Sequence, residues 1–444
     1  MYLLRWLLAL SALLTPALTQ NTTNSSAPVI YPITSDPEMS FQLQVLLGYA
    51  DGEGANSGEI LRAASQLIPQ NFESFYSAFY YLAAKIQSIA TSTNATKFPV
   101  SARQAYFRAA TYYRAADFFL HGNITDPRIY SLWASALSNF DAAIKLLPIP
   151  AARVNLTSSD GSYTVPAIFY PASATNSSKL PTIVAGTGYD GSQEELYHAI
   201  GKSLLERGYN FMTYEGPGQP TVRRYQNIGF RPDWWTAVTP VVDWLEKRSD
   251  VDTTKLALVG ISYGGVLAPI AATKEKRFKA VMAIDGVVSL YDSLIAQFPS
   301  SLTALFKSGN ATAFDAVVNA ASFNTSTPST FRWGVQQGMF AFNTTSPFDW
   351  VTRTKAINVT AESVKNIDVP VFVGDGEDDS SFSGQAKIVA GYLGDRAYYY
   401  EFTNALGAGQ HCQVGAEYQL AAVMGEWLDG VFSGAKLLAN GTVV

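Results

Sequence analysis

The spacing of apolar positions changes character once along this chain, near Pro148-Ile149-Pro150. Before that point, from about residue 37, apolar side chains recur at three- and four-residue steps, as in Tyr106, Ala109, Ala110 and Tyr113. That is the period of helices with one buried face. Asn56 with Glu59, Asn71 ahead of Phe72, Ser101 with Gln104, and Asp126 followed by Pro127 are helix-start signals within it. Beyond the prolines, short runs rich in β-branched and aromatic residues alternate with amphipathic helical stretches. Eight runs qualify as strands: 153–157, 164–170, 182–185, 210–214, 255–259, 280–284, 369–373 and 397–402. Such alternation predicts right-handed crossovers and a mostly parallel sheet with flanking helices. The interval from about 287 to 368 carries helical pieces and no strand, so it reads as an insertion over the carboxyl edge of the sheet, where ligands bind.

The fifth run leads into Gly260-Ile261-Ser262-Tyr263-Gly264-Gly265. A strand, a small-x-Ser-x-small turn and a helix form a nucleophile elbow; Gly260 and Gly264 let strand and helix approach and leave the Ser262 hydroxyl clear. The bland alternative is a turn whose serine only caps the helix. In the elbow reading the backbone N–H of Tyr263 points at the oxygen of whatever Ser262 attacks, with the helix dipole behind it.

A base for that serine should come last, on a loop. Of His121, His198 and His411, only His411 follows the last strand, in Gly407-Ala408-Gly409-Gln410-His411. His198, in the helix after the third strand, and His121, in the helical region, read as ordinary structural or surface residues. The acid is sought just past the seventh strand, where Gly374-Asp375-Gly376-Glu377-Asp378-Asp379 offers four carboxylates. Asp379 is best placed to come round to the histidine and hold its tautomer. Asp378 is the next choice and Asp285, after the sixth strand, the third; Asp375 and Glu377 read as a solvated turn. In the loop Gly186-Thr187-Gly188-Tyr189-Asp190-Gly191, the N–H of Tyr189 is the second oxyanion donor, with Gly188 as the alternative. Glu215, after the fourth strand, either is structural or borders a pocket.

Composition narrows the picture. At 444 residues and 48% hydrophobic, the chain can build one large domain and a smaller one. A net charge of −5 with no run of Lys or Arg argues against a nucleic-acid partner. No Cys/His cluster has metal-ligand spacing, so neither a metal nor a cofactor is expected. Cys412 is the one cysteine, which rules out an intrachain disulfide. Its neighbour His411 suggests a catalytic thiol, but sequence-adjacent side chains rarely meet in hydrogen-bonding geometry.

The first residues read as a signal peptide: Arg5, the apolar run Trp6 to Leu14, then Pro16 with small Ala17 and Thr19 before a cut near residue 19. The run is too short to span a bilayer. Eleven of the nineteen asparagines lie in N-x-Ser/Thr sequons: Asn21, Asn24, Asn94, Asn123, Asn155, Asn176, Asn310, Asn324, Asn343, Asn358 and Asn440. A majority so placed predicts a secreted glycoprotein with no membrane attachment once the leader is removed. The resulting division is a leader at 1–19, a flexible glycosylated lead-in at 20–36, a helical cap domain at 37–149 and the sheet domain at 150–435.

Taken together, GISYGG, GTGYDGSQEE, YEGPGQPTVRRYQNIGF, GDGEDDSSFSGQ and GAGQHCQ resemble motifs of the fungal α/β-hydrolases of secondary metabolism, relatives of a bacterial 2,6-dihydroxypseudooxynicotine hydrolase. SARQAYFRAATYYRAADFFLHG is similar to the helical cap of that group, so the resemblance runs from about residue 40 to 430. It implies an α/β-hydrolase fold with an N-terminal helical cap and a triad of Ser262, Asp379 and His411. The leader and sequons are its departure from that group.

The function expected is a secreted serine hydrolase that cleaves an ester, amide or activated carbon–carbon bond in a small, largely apolar molecule of polyketide type. The partner is that small molecule, with homodimerisation left open. The alternative is a cyclase or acyl transferase using the same pocket, in which an intramolecular nucleophile replaces water.

Overall fold

The computed structural model describes residues 30–174 and 179–435. The leader and the sequons Asn21, Asn24, Asn176 and Asn440 lie outside the described residues. No helix among those described is long and apolar enough to cross a membrane.

Helices come first because the early segments supply their own caps. The side chain of Asp36 accepts from the N–H of Met39 and starts α1 (Pro37–Gly48). Asn56 caps α2 (Ser57–Ala64) and Asn71 caps α3 (Phe72–Ser92), as their sequence signals predict. Then follow α4 (Pro99–Asp117) and α5 (Arg128–Ile144). The Ser101 signal is overridden: Pro99 with its preset φ opens α4 two residues earlier. Buried faces of these helices make one cluster around Leu43, Phe75, Phe79, Tyr112 and Ile129.

Eight strands follow: β1 (Ala152–Thr157), β2 (Thr164–Tyr170), β3 (Leu180–Gly186), β4 (Asn210–Tyr214), β5 (Val251–Ile261), β6 (Ala280–Ile284), β7 (Val371–Gly376) and β8 (Ala397–Phe402). All form a single sheet of order β1-β2-β4-β3-β5-β6-β7-β8, in which β2 is antiparallel to both neighbours and β3 to β8 run parallel. The sheet class read from the sequence is therefore the one observed. Helices cover both faces, as the burial of every residue of β4, β6 and β7 requires. After β3 come a short π-helical turn (Tyr197–Gly201) and α6 (Lys202–Glu206); after β4 come α7 (Pro220–Gln226) and α8 (Trp235–Leu245). Helix α9 (Gly264–Ala272) follows β5.

Between β6 and β7 the chain makes five helices, α10 (Leu290–Gln297), α11 (Ser300–Lys307), α12 (Ala311–Phe323), α13 (Ser329–Ala341) and α14 (Pro347–Thr354). Helix α15 (Gln385–Leu393) precedes β8, and α16 (Glu417–Ser433) follows it. One reading of the acid turn is corrected here. Asp375 is no solvated turn residue but part of β7, buried, with its carboxylate accepting from Tyr399 Oη at 2.7 Å. The strand continues through it because Tyr399 of the neighbouring β8 donates its hydroxyl to the carboxylate.

Candidate active site

Strand β5 ends at Ile261, and the chain turns through Ser262 with φ of 62°, a left-handed conformation that an L-residue adopts only under constraint. The constraint is close packing. A Cβ on Gly260 would sit 1.9 Å from the carbonyl oxygen of Gly264, and one on Gly265 2.4 Å from that of Asp285. Only glycine lets β5, α9 and the end of β6 meet this tightly.

The base loop reaches this turn from the far edge of the sheet. His411 Nε2 lies 2.9 Å from Ser262 Oγ, and His411 Nδ1 lies 3.0 Å from Asp379 Oδ2. Ser262, His411 and Asp379, spread over 149 positions of the sequence, are thus bonded in series. Asp378 is exposed, so the structure separates it from Asp379, which is buried. Asp379 Oδ1 also accepts the N–H groups of Ser381 at 2.7 Å and Phe382 at 3.2 Å. Burial acts to raise this carboxyl, but the charge of His411 and those N–H donors outweigh it and hold the group below the usual carboxylate value. For His411 burial acts downward, and the facing carboxylates, Asp379 above all, hold the imidazole well above its ordinary value. The rings of Phe41, from α1, and Phe382 flank the imidazole at 6.4 and 5.6 Å.

The loop after β3 lies against the elbow. A Cβ on Gly188 would fall 2.5 Å from the nitrogen of Tyr263 and 2.8 Å from Ser262 Cβ. The neighbouring Tyr189 is fixed at both ends, its hydroxyl donating to the Gly334 carbonyl at 3.0 Å and its own carbonyl accepting from Gln337 Nε2 at 2.9 Å. Arg114, on α4, donates to the Asp190 carbonyl at 2.7 Å. The cap and the insertion therefore both grip the loop that faces Ser262.

The other sequence candidates fall elsewhere. His121 is buried in a network with Asp117 at 3.3 Å, Arg224 at 2.9 Å and Gln337 at 2.5 Å. His198 lies 2.8 Å from the Gly52 carbonyl, and burial lowers it to about 4. Both are structural, as read. Glu215 is structural too: wholly buried, its two oxygens accept the N–H groups of Gln193 at 3.2 Å and Thr221 at 2.7 Å. The carboxylate ranked third in the sequence, Asp285, is in contact with the site: its Oδ2 lies 3.2 Å from His411 Nδ1. Asp285, His411 and Cys412 present ligand atoms within 4.8 Å of one another, as a metal set could. Burial and the charge of Asp285 push the Cys412 thiol up, against the thiolate that a metal would need.

The family model for X-Pro dipeptidyl-peptidase (S15 family) matches residues 160–413, which include Ser262, Asp379 and His411. The 20-hydroxy-prefusarin hydrolase of Gibberella moniliformis is 27% identical over 407 residues, covering 89% of this chain and 96% of that one. A Fusarium hydrolase, LUC6, is 33% identical over 275 residues, or 61% of this chain, and the match spans only 65% of its own length. The alpha/beta hydrolase psoB of Aspergillus fumigatus is 33% identical over 298 residues, 63% of this chain and 65% of that one. Among solved structures, the 2,6-dihydroxy-pseudo-oxynicotine hydrolase superposes with a TM-score of 0.70 at 18% identity, over 90% of this chain and all of that one, which shows the fold. The chain belongs to the S15 family and has the α/β-hydrolase fold.

Proposed function

We propose that this hydrolase works through Ser262, His411 and Asp379, and that it is secreted. The observation that carries the reading is the series of hydrogen bonds, 2.9 Å from Ser262 Oγ to His411 Nε2 and 3.0 Å from His411 Nδ1 to Asp379. Ser262 Oγ attacks an acyl carbon and its proton passes to His411 Nε2. The resulting imidazolium faces Asp379, which orients it and balances its charge without taking the proton. The oxygen that becomes negative lies between the N–H groups of Tyr263 and Tyr189. His411 then returns the proton to the leaving group, and a water, activated the same way, frees the acyl chain.

The substrate class is a small, largely apolar acyl compound of polyketide type. Phe41 and Phe382 beside the imidazole support it, as does the relative named for 20-hydroxy-prefusarin. Secretion rests on the leader and on the sequons. Asn94, Asn123, Asn155, Asn310 and Asn324 are exposed, and Asn343 and Asn358 partly so.

Ser262→Ala is expected to abolish both turnover of p-nitrophenyl esters and labelling by a fluorophosphonate. Full activity in that variant removes the mechanism. Product mass separates hydrolysis, which adds one water, from cyclisation, which adds none.

A further inference from the structure

The loop that carries His411 is held by a carboxylate outside the proposed triad. Asp285 is the first residue past β6 and sits at φ of 57°, a left-handed conformation. Its side chain is wholly buried. Oδ2 accepts the N–H of Cys412 at 2.7 Å and lies 3.2 Å from His411 Nδ1, while Oδ1 accepts from Gln413 Nε2 at 3.3 Å. The two residues it holds, Cys412 and Gln413, have φ of 57° and 54°. Two consecutive side-chain-bearing residues in that region persist only where the surroundings fix them. Here Asp285 supplies part of that fixation.

The same carboxylate competes for the imidazole. His411 Nδ1 has one hydrogen, and Asp379 Oδ2 at 3.0 Å and Asp285 Oδ2 at 3.2 Å both face it. Starting from the triad reading above, we infer that Asp285 is a positioning residue for His411: it fixes the base loop and gives the imidazolium a second acid, which takes over when Asp379 is neutralised. No extra proton transfer is involved. The hydrogen on Nδ1 stays on the ring, and only the carboxylate that accepts it changes.

Burial pushes Asp285 up, and the charge of Asp379 adds to this while that of His411 opposes it. Of the other ionisable groups facing His411, the Cys412 thiol and the Asp190 carboxyl are both also raised by burial. Asp379 is the lowest of these acids, so it carries the charge first and Asp285 stands behind it.

The test measures p-nitrophenyl butyrate hydrolysis and the rate of fluorophosphonate labelling for the wild type, Asp379→Asn, Asp285→Asn and the double variant. Asp379→Asn is expected to lose no more than about 100-fold in kcat, against the about 10⁴-fold loss seen where an imidazole has one acid only. The double variant is expected to fall to the level of Ser262→Ala. Asp285→Asn keeps an oxygen for the Cys412 N–H. It is expected to lower kcat with KM unchanged and to move the acid limb of kcat/KM to lower pH, because a negative charge beside His411 is gone. Asp379→Asn at the Ser262→Ala level overturns the proposal, and that arm stands even if Asp285→Asn fails to fold. So does Asp285→Asn with wild-type kcat and an unmoved acid limb. Failure of the triad reading looks different: wild-type enzyme that takes up no fluorophosphonate label, or Ser262→Ala that still hydrolyses the ester.

Discussion

Gly188 shows how much one missing Cβ decides. A methyl there would stand 2.5 Å from the Tyr263 nitrogen and 2.8 Å from Ser262 Cβ, on the side where the proposed mechanism puts the developing oxyanion. Gly188→Ala is expected to lower kcat by about 10²- to 10³-fold, the usual cost of spoiling one oxyanion contact. Kinetics on the folded variant check it, and wild-type kcat would place the oxyanion elsewhere. In sequence, Gly188 reads as part of a glycine-rich turn and as the alternative oxyanion donor, but not as a forced glycine, because the contact that demands glycine comes from residues some seventy positions later. Asp285 is legible only as a third choice of acid, behind Asp379 and Asp378. Its rank as third acid follows from its place after the sixth strand rather than the seventh, and its contact with His411 comes from the three-dimensional meeting of β6 with the base loop. Ser262, Asp379 and His411 are legible because they follow β5, β7 and β8 in the order nucleophile, acid, base, which this topology brings to one edge.

At the scale of elements, the strands are the most readable feature, since runs such as Ala280 to Ile284 are apolar throughout and bounded by polar turns. What binds the elements into one site is less readable. Helix α13 of the insertion meets the loop after β3 through Gln337 and Gly334, and meets the cap through Trp333, whose ring stacks on Phe118 at 5.2 Å. No periodicity announces those partners. Beneath this junction Asp117, wholly buried at the end of α4, joins Arg224 of α7, His121 and Arg114. Arg224 and Arg114 are themselves only 5% exposed. Asp117→Ala leaves the Arg224 guanidinium without its carboxylate in the interior, while Arg114 keeps Glu195 at 3.5 Å, a change that costs about 3–5 kcal/mol. Denaturant unfolding reads this directly, and a loss under about 1 kcal/mol would mean that the network is not what holds cap to sheet.

Across the whole molecule, the cap, the sheet domain and the insertion close over a set of carboxyls that burial keeps from charging. Glu38, on α1, and Glu417, at the start of α16, are pushed up to about 7, and Glu215 is raised for the same reason. In the unfolded chain such groups release their protons near pH 4.5. Between that value and about 7 the folded state therefore holds more protons than the unfolded state, and stability falls as pH rises. The contribution is complete below pH 4.5 and lost once the folded groups ionise. His121 and His198 act the other way: burial lowers both, so their contribution is present above 6.5 and lost as pH falls. Asp379 and Asp117, both held low, withdraw support only in strong acid. Above pH 6.5 the raised carboxyls are opposed by none of these, and each adds a slope of up to about 1.4 kcal/mol per pH unit until it ionises. The Tm is expected to be higher at pH 5.5 than at pH 8, with Glu38→Gln and Glu417→Gln each flattening the difference. A Tm that holds steady or climbs from pH 5.5 to pH 8 would show that these carboxyls ionise in the folded protein as easily as in water.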